Sequence, residues 1–363
     1  MKWDDNLLLE GGTPGLAERG QLQLAMYAVH LGTGHSIYCK QIKVATIESY
    51  VFAAASFLAQ FTGVDFRKDS PSDTQMGSIL SPVYKELRRY ENVPNRREPY
   101  DLQMHTKARQ LQEGAHHDSL LSALVDGFEQ GLCAGYRLSE WAQPAGLTNV
   151  RNPQLNHLPP PNIRTKAIVP DDIRVLTVDF RCISGLAVAF LPVTSIAKLW
   201  IRWRTQKNMQ NGEEKLFVPN PRPDGVCCVR AVWRSLQRFS RLQAINPYLR
   251  PDSTPLSVYF DPIHQAVQLV TSLDIEFFMR RLAAEVYHLH PIHDRKHLQQ
   301  WGTHSLRVGA CVVLHAMGFS ALDIQWILRW RSMAFLTYLR NLTVLATKQV
   351  RALDRAAAIP HLI

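Results

Sequence analysis

Cysteine is scarce and follows no pattern. The six in 363 residues (Cys39, Cys133, Cys182, Cys227, Cys228, Cys311) show neither the spacing of a disulfide framework nor that of a zinc ribbon, and the adjacent pair suits neither. A reducing, intracellular compartment is therefore expected. Long hydrophobic runs are missing too. No stretch approaches about 18 uninterrupted apolar residues, so no membrane partner is expected. The opening MKWDDNLLLE has acids where a secretory leader would have basic residues and then a long apolar run. There is no internal repeat and no low-complexity segment. With hydrophobic residues at 46% and charged ones at 20%, a mostly disordered chain is excluded.

Negative charge is short in one part only. Residues 1–100 hold 11 Lys+Arg and 11 Asp+Glu, whereas 101–363 hold 30 and 20, so the whole net charge of +10 lies in the second part. Arg dominates there, and its planar fork binds two phosphate oxygens at once. A polyanionic partner, nucleic acid first, fits this balance; a basic but inert surface fits it equally.

A length of 363 residues suits two domains. Residues 1–20 read as a loose leader with Gly-Gly and Pro-Gly signals. Helical periodicity runs from Gln21 to Phe61 and again from Asp73 to Tyr90. The segment ENVPNRREPY (91–100) is polar and holds two prolines, as a linker would. We therefore expect a helical domain over 21–95 and a second domain over 96–363. The second begins with helix through Trp141, then a Pro- and Asn-rich loop over 144–165. Short alternating runs at 175–178, 186–190, 198–203 and 215–218 predict strands, with Asn211-Gly212 as a hairpin turn signal. Helix returns from Val226 to Leu242, from Ser272 to Tyr287 and from His304 onward. The fold class is mainly α with a small antiparallel sheet, α+β.

Three other features stand apart. The histidine-dense run His288, His290, His293, His297 is either a metal site or a solvated basic loop; it matches no zinc spacing and Pro291 interrupts it, so no metal and no cofactor is expected. Arg230, Arg234 and Arg238 form an i, i+4, i+8 stripe, flanked by Arg222 and Arg241. It is either a phosphate-contacting face or a solvated one. Val344 to Ala358, with Leu345, Val350 and Leu353 apolar, suits a helix.

The chemistry concentrates in THSLRVGACVVLHAMGFSALDIQWILRWRSMAFLTYLR, residues 303–340. His304 and Arg307 share a face at the start of a helix that Gly318 ends. Ser320 and Asp323 cap a second helix. Trp330 follows, and Tyr338 lies eight residues on. Donors converging at a helix start suit an anion, and a phenol beside them can attack phosphorus. Taken singly, each residue has an ordinary reading: Trp330 as core, Tyr338 as a packed aromatic, Arg307 in a salt bridge.

Together the residues resemble a family. His304-Ser-Leu-Arg307-Val-Gly309-Ala310, then Arg329-Trp330-Arg-Ser332-Met-Ala334-Phe335-Leu336-Thr-Tyr338, is similar to the C-terminal signature of tyrosine recombinases, the phage-integrase-like superfamily. The nearest branch is that of the eukaryotic Crypton-like and retroelement enzymes. Two upstream motifs of the family have counterparts: Ala134-Gly135-Tyr136-Arg137-Leu138-Ser139-Glu140, and a hairpin lysine at Lys207. Lys215, on the far arm of that hairpin, and Lys198 are alternatives, because Arg137 and Lys207 stand further apart than in compact members. Arg329 occupies a position where Gly is common, which we read as a packing or turn residue.

The resemblance implies DNA cleavage and rejoining through a 3′-phosphotyrosyl intermediate, with no metal or ATP. Tyr338 would be the nucleophile. Arg137, Arg307, His304 and Trp330 would bind the phosphate, and Lys207 would protonate the leaving 5′-oxygen. It further implies recombination or transposition of a mobile element on double-stranded DNA. Self-association as a dimer or tetramer, a helical DNA-clamping domain at 21–95 and a nuclear location would go with it. A type IB topoisomerase and a non-catalytic DNA-binding descendant are the alternatives.

Overall fold

The computed structural model describes residues 16–33, 42–68, 77–90, 97–143, 166–204, 211–330 and 335–339. The chain divides into two compact units, Met1–Asn95 and Arg96–Ile363. Residues 1–15 of the expected leader, most of the linker, the loop at 144–165 and the terminal stretch at 344–358 lie outside the described residues, while 16–20 of the leader are helical.

The first unit contains helices α1 (Leu16–Gly32), α2 (Val44–Thr62) and α3 (Leu80–Arg89). Their apolar stripes meet at Leu24, Ala28, Ile47, Val51, Leu80 and Tyr84, all fully or almost fully buried. Gly63 ends α2 in the left-handed region, φ 69°, where glycine carries no Cβ penalty. By length and composition α2 is apolar enough to cross a membrane. It packs one face into this core and leaves Phe52, Phe57 and Phe61 exposed. Of the helix expected from Asp73 to Tyr90, residues 73–76 lie outside the described residues, and α3 begins at Leu80.

The second unit is built on α5 (Leu120–Ala134), buried on nearly every face. Ser119 caps its start, and Gly135, φ 61°, ends it. Helix α4 (Leu102–Gln112) precedes it, and α6 (Leu138–Trp141) is a single turn after it. A four-stranded antiparallel sheet then forms from β1 (Ile173–Thr177), β2 (Cys182–Ser184), β3 (Ile196–Arg202) and β4 (Glu214–Phe217), in the order β2-β1-β3-β4. The run at 186–190 is not a strand. Gly185 turns the chain at φ 62°, and Gly185–Phe190 coils as a 3₁₀ helix that buries Val188 and Ala189. Short apolar runs do not distinguish the two conformations by periodicity. The β3–β4 hairpin is longer than a two-residue Asn-Gly turn. Gly212 N–H donates to Trp203 O and Trp203 N–H to Glu213 O, so pairing runs past the named strands. Lys207 falls in the connection at 205–210, outside the described residues.

Helix α7 (Cys228–Ile245) packs on α5, followed by the hairpin β5 (Val258–Asp261) and β6 (Ala266–Leu269). Helix α8 (Ser272–Tyr287) starts on a Thr271–Asp274 capping box. Helices α9 (Arg295–Leu298), α10 (Ser305–Ala316), α11 (Ala321–Ile327) and α12 (Leu336–Leu339) complete the described chain.

The α7 arginines are held by groups of the same unit. Arg234 pairs with Asp126 and Glu129, Arg238 with Asp126, and Arg241 with Asp118. Arg230 donates to the carbonyls of Asn220, Arg222 and Gly225. Their charge is engaged inside the unit.

Helix α10 runs against the backbone at Tyr100. A Cβ on Gly309 would stand 1.9 Å from Tyr100 O, and Tyr100 N–H donates to Ser305 O at 3.0 Å. Backbone cannot yield as a side chain can. Gly309→Ala is expected to lower stability by about 1–3 kcal/mol or more in urea unfolding. Unchanged stability would mean that α10 does not approach Tyr100 this closely.

Candidate active site

His304 and Arg307 stand at the first turn of α10, as their spacing predicts. Gly318, φ 90°, turns the chain after α10, and a Ser320–Asp323 capping box starts α11. The chain then returns over α10. Phe335 and Leu339 sink into a cluster with Ala310, Cys311, Ile324 and Leu328, which seats the turn carrying Tyr338.

The result brings four of the predicted residues together. His304 Nε2 and Tyr338 Oη are 2.9 Å apart. The Trp330 ring centroid lies 5.9 Å from that of Tyr338, and the Arg307 guanidinium sits 4.4 Å from the centre of the Trp330 ring. Arg307 is 1% exposed and donates to Gly135 O at 2.5 Å and Leu328 O at 2.6 Å. These two carbonyls cross-link the end of α5 to the end of α11. The indole N–H of Trp330 is buried with no hydrogen-bond acceptor among the described residues.

Arg137 joins through Glu140. Its backbone N–H and its Nη1 both donate to that carboxylate, each at 2.9 Å. Lys215, on β4, reaches the same region and donates from Nζ to Ile327 O at the end of α11. Lys198 is exposed on β3.

Electrostatics give each group a state. Burial, helped by Arg307, Arg97 and Arg137, brings His304 down to about 4. The imidazole is neutral at pH 7, able to accept the phenol proton through Nε2. Burial raises Tyr338 above the usual phenol range despite Arg307, so the phenol keeps its proton until a base takes it. Burial and then Arg137 lower Arg307 to about 9, which leaves it charged at neutral pH. Burial and then Arg329 lower Lys215 to about 8, a value at which an ammonium donates its proton readily.

Two residues outside the six expected catalytic ones take part in the site: Glu140, which the motif beside Arg137 suggests as an orienting group, and Arg329. Glu140 is 1% exposed and accepts from two arginines. Burial pushes its carboxyl up, but Arg329 and then Arg137 outweigh this and hold it below the usual range. Arg329 has φ 57°, the left-handed region that favours glycine and costs another residue about 1–3 kcal/mol. The resemblance to a family with Gly here carried that signal: the position is a turn.

No family model and no curated protein matches the chain. Solved structures do. The chain is similar in fold to the Tn1549 transposon integrase in complex with transposon right-end DNA, at 14% identity, covering 98% of each chain with a TM-score of 0.42. It is also similar to the XerA recombinase, at 14% identity, covering 92% of this chain and 98% of that one with a TM-score of 0.37.

Proposed function

We propose that the chain breaks and rejoins DNA through a phosphotyrosyl intermediate, as a recombinase of a mobile element. The observation that carries the reading is the 2.9 Å contact between His304 Nε2 and Tyr338 Oη beside the buried Arg307 guanidinium. A phenol held against a neutral base, with fixed cations next to it, is equipped for attack on phosphorus.

The step runs as follows. Tyr338 Oη bonds to the phosphorus of one phosphodiester as His304 takes the phenol proton. Arg137 and Arg307 offset the charge that grows on the non-bridging oxygens, and the unused indole N–H of Trp330 donates to one of them. The P–O bond to the 5′-oxygen breaks, and Lys215 supplies that oxygen with a proton. The product is a 3′-phosphotyrosyl ester and a free 5′-hydroxyl. Attack by another 5′-hydroxyl reverses every transfer, so the phosphoester bond is conserved without an energy source. Self-association on paired sites and a DNA-clamping role for the first unit belong to the same proposal.

Incubation with a nicked DNA that loses its short 5′-hydroxyl strand tests this. A covalent protein–DNA complex that depends on the sequence of the element end supports it. Relaxation of supercoiled plasmid without sequence preference marks a type IB topoisomerase instead, and binding with no adduct marks a non-catalytic descendant.

The charge states predict a bell-shaped pH dependence for the second-order rate of adduct formation. His304 must be neutral, so the rate rises with pH through about 4. Lys215 must be protonated, so the rate falls as pH climbs through about 8. A rate still level at pH 10 would remove Lys215 from the role.

A further inference from the structure

Arg329 is an unusual residue for its place. Its side chain is 1% exposed on a backbone turn that glycine would enter with less strain. Buried arginines need partners, and this one has several. Nη2 donates to Glu140 Oε2 at 2.9 Å, Nη1 reaches Oε1 at 3.3 Å, and the guanidinium lies 3.9 Å from the centre of the Trp203 ring. Glu140, 189 residues away in sequence, also accepts from Arg137 at Nη1 and at the backbone N–H. One carboxylate therefore bridges two guanidiniums.

The arithmetic of that trio matters at a phosphate site. Arg137 with Glu140 alone is a neutral pair, and its carboxylate would repel an incoming phosphate. With Arg329 the trio carries one net positive charge, and the carboxylate is drawn to both cations. We propose that Arg329 is a positioning residue, which takes up the charge of Glu140 and so leaves Arg137 fixed and cationic toward the phosphate. This rests on the reading of the site as one for phosphate. The neighbouring Lys215 feels the same guanidinium, which is the largest influence after burial in making its ammonium easier to deprotonate.

The test uses the full chain with Arg329→Gly, Glu140→Gln and the double variant. Binding of inorganic phosphate is measured by ³¹P NMR and adduct formation on the nicked DNA. Both are read at temperatures where each variant is folded. Arg329→Gly is expected to weaken phosphate binding about tenfold and slow adduct formation at least as much. Glu140→Gln in the same chain should bring both back to within about threefold of wild type, since nothing then remains to be offset. A merely structural ion pair would move the melting temperature and leave phosphate affinity of the folded protein alone. Arg329→Gly that binds phosphate like wild type overturns the proposal. So does a double variant with weak binding, which decides the matter even if the single variant fails to fold. A wild type that shows this phosphate pattern but makes no DNA adduct would overturn the phosphotyrosyl reading and leave this one standing.

Discussion

Tyr338→Phe is expected to abolish covalent capture of DNA, by about ten-thousand-fold or more, while DNA affinity stays within about threefold of wild type. The substitution removes one oxygen. Phe335 and Leu339, which seat the turn, remain buried, and the ring keeps its place beside Trp330. What is lost is the atom 2.9 Å from His304 Nε2. No second phenol occupies that position among the described residues: Tyr100 and Tyr136 are buried elsewhere in the core of the second unit. A Phe variant that still forms an adduct would mean that another nucleophile acts.

Lys215→Ala should slow adduct formation by about 10²–10⁴-fold, the usual contribution of a general acid. The loss should disappear when the DNA carries a 5′-bridging sulfur, because a thiolate leaves without a proton. Lys207→Ala belongs in the same experiment. Whichever variant the sulfur substrate rescues identifies the acid. If it rescues Lys207→Ala and not Lys215→Ala, the lysine on the hairpin connection is the donor, and Lys215 serves only to hold Ile327 O. If it rescues neither, leaving-group protonation is not a lysine's task in this protein.

That His304, Arg307, Trp330 and Tyr338 would lie together was legible from the family resemblance, and local rules account for their placement. The helix start fixes His304 and Arg307 on one face, Gly318 and the Ser320–Asp323 box set the return, and Tyr338 follows within one more turn. Pairings over long separations were not legible. The acid partners of the α7 arginines left no sign, because Asp118, Asp126 and Glu129 lie more than 90 residues before them, and charge balance across such distances leaves no periodic trace. The pairing of Glu140 with Arg329 was hidden for the same reason. The departure from Gly at 329 marked a turn, but not that the side chain would turn inward and carry its charge to Glu140. In the sheet, the strands at 173–177, 196–202 and 214–217 follow their alternation. The run at 186–190 does not, because Gly185 redirects the backbone before it.

Digestion of the adduct made on nicked DNA, followed by mass spectrometry of the peptide that keeps a nucleotide, shows which side chain attacks the phosphorus. The expected product carries a 3′-linked nucleotide on the oxygen of Tyr338, with a free 5′-hydroxyl on the departing strand. A nucleotide found on any other side chain, or a 5′-linked one, would contradict this assignment.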